Sequence, residues 1–247
     1  MAKVLIVPDV HERLDRLAAA LAGRIEKVDR VVFLGDWFDA FGPVDLRRVG
    51  QVCGFLNGNI DGLVIEADPG DDSATVTVPA TFLLGNHDCH YFFNHAGFIC
   101  SGYEPRKKEV IEANIPQGII EKFRIYTRVG PYLLSHAGFH EGNLHYTRPE
   151  VEAHQLQIAR DGGFSELWGA GYARGGRQPI GGPTWLDWSA EFNHIDNLPQ
   201  IVGHTNGKQV RTKGLNGQLQ SWCLDTACHH VAIVDDETGA ITVEQCC

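Results

Sequence analysis

The stretch Thr81-Phe82-Leu83-Leu84-Gly85-Asn86-His87-Asp88 constrains this chain more than any other. A short apolar run, of a length that suits a buried strand, stops at a glycine. An amide, an imidazole and a carboxylate follow without a gap. A strand buried on both faces needs apolar side chains on both, and the turn after it needs the glycine. The polar groups therefore gather at the strand's C-terminal end, where open α/β sheets place their chemistry. The pattern recurs. Lys3-Val4-Leu5-Ile6-Val7 leads into Pro8-Asp9-Val10-His11, and Arg30-Val31-Val32-Phe33-Leu34 into Gly35-Asp36-Trp37-Phe38-Asp39. Tyr132-Leu133-Leu134 leads into Ser135-His136-Ala137-Gly138, and Gln200-Ile201-Val202 into Gly203-His204-Thr205. Five apolar runs that each end in Asp, His or Asn predict five strand ends converging on one site.

The chain can build a core around such strands. Of its 247 residues 43% are hydrophobic and 21% charged, which predicts one globular domain, or one domain with a large insertion. The formal net charge of −10, from 21 basic and 31 acidic side chains, argues against a long nucleic acid as partner. It is compatible with a small anionic substrate held through metals. The seven cysteines are irregularly spaced and form no CxxC pair, so reduced thiols in a cytoplasmic protein are expected rather than a zinc knuckle. The terminal Cys246-Cys247 pair carries no prenylation box and reads as a solvated tail. The N-terminus runs straight into a strand without a leader pattern, and no apolar run reaches membrane-spanning length.

Between the strands the chain alternates. Leu14, Leu17, Ala18, Leu21, Ala22 and Ile25 recur at helical spacing, giving a strand–loop–helix–strand opening. A second helix is predicted from Val44 to Leu56, ended by Asn57-Gly58-Asn59. Leu63-Val64-Ile65-Glu66 and Ala74-Thr75-Val76-Thr77-Val78 read as a β-hairpin around 61–80, turned at Asp68-Pro69-Gly70-Asp71-Asp72. Arg106 to Ala113 and Pro149 to Ala159 read as helices. Phe123 to Val129 and Tyr132 to Ser135 form a strand pair turned at Gly130-Pro131. Residues 161–183 are glycine-rich loop, and strands are expected at Gln218 to Leu224, Val231 to Val234 and Ala240 to Glu244.

The polar residues at the strand ends suit transition metals, since Asp and His bind such ions and Asn adds a neutral oxygen. Asp9 and His11 are two apart in an extended loop and can face one ion. Asp36 has two oxygens and can bridge two ions, and Asn86, His136 and His204 would complete the second. That is a two-metal site, with a bridging water as nucleophile made acidic by the metals and the phosphoryl oxygens clamped between them. His87 follows Asn86 directly, which turns it away from the same ion and suits it to protonating a leaving alkoxide as general acid. Asp39 can accept its hydrogen bond and hold its charged form.

Asp9-x-His11, Gly35-Asp36-x-x-Asp39, Gly85-Asn86-His87-Asp88, His136 and Gly203-His204 together resemble the ordered motif set of the calcineurin-like metallophosphoesterase superfamily. Ser135-His136-Ala137-Gly138, Gly203-His204-Thr205 and Leu224-Asp225-Thr226 are most similar to its branch of serine/threonine phosphoprotein phosphatases and symmetrical diadenosine tetraphosphatases. The resemblance runs from residue 9 to residue 204. It implies an α/β fold, a four-layer αββα sandwich of two mixed sheets flanked by helices, with the dimetal site at the strand ends. It implies two divalent transition-metal ions, Mn first, with Fe, Zn, Ni or Co also accepted by such ligands.

The sequence departs from that pattern in three places. Asn206 stands where many phosphodiesterase members carry a second histidine. Ala40 occupies the slot of the branch's phosphate-gripping arginine, and Arg174, Arg177 and Arg211 are the candidates to replace it. Glu12 follows His11 where the branch has glycine. Singly, each motif residue has an ordinary explanation, such as a helix cap at Asp9 or turn chemistry at Gly35-Asp36; five in order do not. His90, His95, His140, His145, His154 and His194 read as surface or loop histidines, and His229-His230 as non-ligands. Trp185 and Trp188 read as packing residues, Arg106-Lys107-Lys108 as a solvated helix face. Tyr91-Phe92-Phe93 could line an aromatic nucleotide pocket. The expected function is a phosphomonoesterase acting on phosphorylated small molecules or phosphoproteins. The alternative is a dinucleoside polyphosphate or nucleotide hydrolase, ahead of a phosphodiesterase, nuclease or non-catalytic scaffold.

Overall fold

The computed structural model describes residues 2–66, 75–215 and 218–246. Its strands are β1 (Lys3–Val7), β2 (Arg30–Phe33), β3 (Leu63–Glu66), β4 (Thr75–Val78), β5 (Ala80–Phe82), β6 (Tyr126–Val129), β7 (Tyr132–Ser135), β8 (Gln200–Val202), β9 (Arg211–Lys213), β10 (Ser221–Cys223), β11 (His230–Asp235) and β12 (Ile241–Gln245). The helices are α1 (Leu14–Leu21), α2 (Leu46–Asn59), α3 (Asn86–Phe92), α4 (Pro105–Asn114), α5 (Gln117–Ile120) and α6 (Pro149–Arg160). One sheet has the order β12-β11-β1-β2-β5 and the other β6-β7-β8-β10-β9. Both are mixed: β1, β2 and β5 are parallel to one another, as are β7, β8 and β10, while β11, β12, β6 and β9 run antiparallel to the strands they pair with.

Strand periodicity decides which side chains fill which layer. Val4 and Ile6 of β1 join Val32, Leu34, Leu83, Leu134 and Ile201 in the core between the sheets. Leu5 and Val7 point the other way and join Val31, Phe33, Leu17, Val49, Val52 and Leu56, so α1 and α2 cover that face. Leu186, Trp188 and Phe192 pack with Ala137, Val202 and Cys223 on the second sheet. Each buried aliphatic side chain contributes about 1.5–3 kcal/mol, and a one-residue slip would swap both faces of a strand. The register, and with it the position of every strand end, is therefore strongly fixed.

Several elements differ from the sequence expectation. The first helix stops at Leu21; Gly23 turns the chain at φ +67, and Ile25 is buried from a separate 3₁₀ turn. Asn57-Gly58-Asn59 does not end the second helix, which continues through Asn59. Nothing crowds Gly58, so these residues cost only the roughly 1 kcal/mol of poor propensity, and Leu56 and Ile60 stay buried on the inner face. A helix, α3, begins at Asn86 where loop was expected. The strand expected over Gln218 to Leu224 shortens to β10, and β9 pairs with it as an unforeseen edge. Strands β3 and β4 pair antiparallel from Leu63–Val78 to Glu66–Thr75; the turn expected at Asp68-Pro69-Gly70-Asp71-Asp72 lies outside the described residues. Among the described residues no helix is long and apolar enough to cross a membrane.

Candidate metal centre

The parallel strands of each sheet all deliver their C-terminal ends to one side of the molecule. β1 delivers Asp9 and His11, β2 delivers Asp36 and Asp39, and β5 delivers Asn86 and His87 through the start of α3. β7 delivers His136 and β8 His204. Backbone bonds tie these turns together. Val10 and His11 N–H donate to the Asp36 carbonyl at 3.1 and 2.8 Å, and Gly203 N–H donates to the His136 carbonyl at 2.7 Å. The Asp88 carboxylate accepts from the N–H groups of Asp36, Trp37 and Gly85 at 2.8–2.9 Å, which locks the second and third motifs against each other. A Cβ on Gly85 would lie 2.0 Å from Asp36 Oδ1, and one on Gly203 2.1 Å from Asp9 Oδ1. Both glycines are required because carboxylate oxygens occupy the space. His11, Glu12, Asp36, Asp39 and His204 all hold positive φ, from +46 to +67. Such strain, about 1–3 kcal/mol per residue, persists only where surrounding structure overrules it.

Among the described residues three donor groups occur: one holds His87, His90 and Cys100, and the other two share one residue. Atoms of Asp9, His11 and Asp36 lie within 4.8 Å of one another, and so do atoms of Asp36, His136 and His204. Asn86 Oδ1 is 3.1 Å from His136 Nε2. His11 Nδ1 donates to the Phe38 carbonyl at 2.8 Å and His136 Nδ1 to the Leu34 carbonyl at 2.9 Å. These bonds fix the tautomer and turn each Nε2 lone pair inward, the arrangement that supports a ligating histidine. The inward atoms then meet one another: His136 Nε2 lies 3.3 Å from Asp36 Oδ2 and 3.2 Å from His204 Nδ1, and His11 Nε2 lies 3.6 Å from Asp36 Oδ2. Asp9, Asp36, Asn86 and His136 are all at most 2% exposed. Buried acceptors facing acceptors are costly unless positive charge sits among them.

The ionisation of the site says the same. Burial and the nearby carboxylates of Asp225 and Asp36 push Asp9 well above the carboxylate range. Burial also opposes ionisation of Asp36, but His136, His87 and His11 outweigh it and hold Asp36 well below that range. Burial alone would lower His136, yet Asp36 and Asp9 drive it up to about 9. A proton there substitutes for a cation. His204, desolvated and beside His136, is held well below the imidazole range. The donor set thus fits divalent ions, with Asp36 placed to be shared.

Asp39, on the same turn as Asp36, belongs to a different cluster. Its Oδ2 lies 2.8 Å from both His87 Nδ1 and His90 Nε2, and its Oδ1 accepts from Tyr91 Oη at 2.7 Å and Lys107 Nζ at 2.9 Å. His87 is half-exposed to a cleft of about 470 Å³, whose walls include His11, Asp36, Asn86 and His204 on one side and Arg13, Arg174 and Trp185 on another. Burial lowers the His87 pKa, but the carboxylates of Asp36 and Asp39 more than compensate and raise it. Arg174 is held toward the cleft by Asp187 Oδ2 at 2.9 Å and Thr205 Oγ1 at 2.7 Å. Beyond Ser101, Arg174 and Trp185 the cleft continues into a groove of about 740 Å³ that reaches Arg177. Arg211 instead bonds the Thr205 carbonyl and, at 3.1 Å, Cys223 Sγ.

These placements correct several expectations. His90 is not a surface histidine: it is 2% exposed because α3 turns it onto Asp39. Lys107 is not solvated: at 3% exposed it reaches Glu12 Oε1 at 2.6 Å as well as Asp39. Tyr91, Phe92 and Phe93 fill the core instead of lining a pocket. Trp188 packs on Phe192, but Trp185 borders the cleft. The sequence reading gave no site role to Asp88, Asp225 or Arg13. Asp225, 2% exposed at the end of β10, repeats the strand-end signal, and Asn206 donates to it at 3.1 Å. Nothing local distinguishes Arg13.

The model of the calcineurin-like phosphoesterases matches residues 2–207, a span holding all six candidate metal ligands. The chain belongs to the calcineurin-like phosphoesterase family. As a calcineurin-like phosphoesterase it is a phosphoester hydrolase, and the family implies divalent metal ions. Among solved structures, this phosphoesterase resembles a cold-active protein-tyrosine phosphatase of the psychrophile Shewanella sp. The TM-score is 0.62 and the identity 16%, covering 100% of this chain and 81% of the other. Another structure of a cold-active protein tyrosine phosphatase gives 0.63 and 18%, covering 99% and 78%. At such identities the likeness shows the shared fold of mixed sheets and flanking helices. No curated protein matches the sequence.

Proposed function

We propose that this calcineurin-like phosphoesterase is a two-metal phosphomonoesterase, with the whole chain as one catalytic domain and the β3–β4 hairpin an insertion. Asp36 carries the reading, because among the described residues it is the one carboxylate that belongs to both donor groups. Asp9, His11 and Asp36 would hold one ion; Asp36, Asn86, His136 and His204 would hold the other, with manganese as the first choice. Two bound ions supply a water acidic enough to attack at neutral pH and neutralise the phosphoryl oxygens. His87 donates the proton the leaving oxygen needs: its Nδ1 is engaged by Asp39, so Nε2 is left to serve the cleft. Arg174, braced by Asp187 and Thr205, takes the part of the guanidinium missing at Ala40 and grips a phosphoryl oxygen.

The groove beyond Trp185 favours one second reading, a nucleotide or dinucleoside polyphosphate whose leaving group extends toward Arg177. A hydrolysis panel tests both. Purified protein with manganese is given para-nitrophenyl phosphate, its bis-ester, a phosphopeptide and diadenosine tetraphosphate, each with and without chelator. Chelator-sensitive turnover of the monoesters, exceeding that of the bis-ester, is expected. Faster bis-ester cleavage would refute the monoesterase reading, and tetraphosphate outpacing every monoester would select the second one.

A further inference from the structure

We propose that Lys107 and Glu12 act as a positioning pair for His87, through Asp39. The proposal rests on the general-acid reading of His87 and extends it to two residues outside the metal ligands. Lys107 is the third residue of α4. Its neighbours are more exposed: Arg106 pairs with Glu104 at 3.1 Å, and Lys108, half-buried, reaches Glu112 and the Tyr91 carbonyl, both at 3.0 Å. Lys107 is fully buried, at 3% exposed, and divides its ammonium between Glu12 Oε1 at 2.6 Å and Asp39 Oδ1 at 2.9 Å. Glu12 is 4% exposed and holds φ +61, a conformation that favours glycine. Nothing local recommends a glutamate there. Its contacts do: Oε1 also accepts the Asp39 N–H at 2.9 Å.

The geometry gives this pair a purpose. Asp39 has donors on both oxygens, Lys107 and Tyr91 on Oδ1 and His87 on Oδ2, where His90 Nε2 also lies at 2.8 Å. With Oδ1 held from behind and its own N–H held by Glu12, the carboxylate cannot rotate away, and Oδ2 stays aimed at His87 Nδ1. The charges also close. Glu12 and Asp39 carry two negative charges, and Lys107 offsets one. The remaining charge faces His87 Nδ1, the atom that Oδ2 holds at 2.8 Å. Without Lys107 two buried carboxylates would share one backbone corner, and Asp39 would be free to turn toward any other donor.

The test compares leaving groups on the full-length, manganese-loaded enzyme. A phenolate departs without much protonation, an alkoxide does not, so loss of a well-aimed general acid shows only in the second. Lys107→Met, the charge-balanced double variant Glu12→Gln with Lys107→Met, and His87→Asn are assayed on para-nitrophenyl phosphate and on glycerol 2-phosphate. Metal content is checked in each. The double variant removes one charge of each sign and guards against simple misfolding. Both Lys107 variants should lose about ten- to a hundredfold in kcat on the alkyl phosphate, the range typical for a partner behind a functional group. KM and kcat for the nitrophenyl ester should stay within about threefold, a difference that corresponds to loss of the acid step alone. Equal losses on both esters would mean a merely structural pair and overturn the proposal. So would a leaving-group split in His87→Asn that neither Lys107 variant shows. Absence of any split in His87→Asn itself would instead remove the general-acid reading, and the positioning role with it.

Discussion

Asp36 and Asp39 stand three residues apart on one turn, and the clusters they anchor solve the burial of charge in opposite ways. Around Asp36 the chain gathers carboxylates, imidazoles and an amide whose inward atoms are acceptors, 3.1–3.3 Å apart across His136 Nε2. Among the described residues no lysine or arginine is hydrogen-bonded or ion-paired to Asp36, whose carboxylate meets the His11 and His136 imidazoles and the His87 N–H. Around Asp39 every oxygen has a donor, and the balancing cation, Lys107, comes from the chain itself. A buried carboxylate is tolerated only when compensated. Where the chain provides the cation, the charge can only hold a neighbour in place. Where the chain withholds it, the site is left for ions from outside. The proposed metal donors and the proposed general acid thus lie side by side, distinguished by where the positive charge would come from.

The sharpest way to break this contrast is Asp36→Asn. It removes the carboxylate shared by both donor groups, so both ions should be lost together. Activity should fall by about 10⁴-fold or more, since several kcal/mol of charge stabilisation go with them. Full metal occupancy in that variant, by elemental analysis, would show that Asp36 is not shared. His87→Asn should leave the metals bound yet lower kcat on alkyl phosphates at least about a hundredfold, the lower end of what general acids contribute. Unchanged alkyl-phosphate turnover would detach His87 from the chemistry. Lys107→Met probes the other cluster through stability. Leaving Glu12 and Asp39 buried without their cation should cost about 3–5 kcal/mol in urea unfolding, against much less for the double variant with Glu12→Gln. A loss near that of an exposed ion pair would mean that Asp39 finds its charge elsewhere.

The two clusters were not equally legible. The Asp36 side can be read from sequence because period-2 strands and glycine turns carry it. Each apolar run fixes a strand, and each strand end places a candidate ligand; Asp225 after β10, quoted in the Leu224-Asp225-Thr226 motif but given no site role, repeats the signal. The Asp39 side depends on helix phase. Lys107 shares a face with Ile111, and both are buried; the clue was present, but a run of three cations reads as solvated face. His90 shares a face with His87 only once α3 is known to begin at Asn86, and consecutive polar residues after a glycine suggest loop instead. The arginine is harder still. Arg174 faces the cleft because Asp187 and Thr205, distant in sequence, hold it there. No local pattern separates it from Arg211, which is spent on Thr205 and Cys223.

That last difference yields the two smallest predictions, and they separate cleft from groove. Arg174→Ala should raise KM for every phosphomonoester by roughly ten- to a hundredfold, the worth of one or two hydrogen bonds to a charged group. It should do so with kcat less affected, because the guanidinium holds the phosphoryl group before and during transfer alike. Arg177 lies farther along, exposed on the groove wall. An exposed contact to a phosphate is worth about 0.2–1 kcal/mol, a factor of about 1.4 to 5. Arg177→Ala should therefore leave para-nitrophenyl phosphate kinetics untouched, since on the groove reading only a longer leaving group extends to Arg177. Only a substrate long enough to follow the groove, such as diadenosine tetraphosphate, should lose that small factor in KM. A matching loss on both substrates would place Arg177 at the reacting phosphate and displace Arg174 from that part. No loss on either would mean that leaving groups depart by another route, and the groove would cease to favour the nucleotide reading.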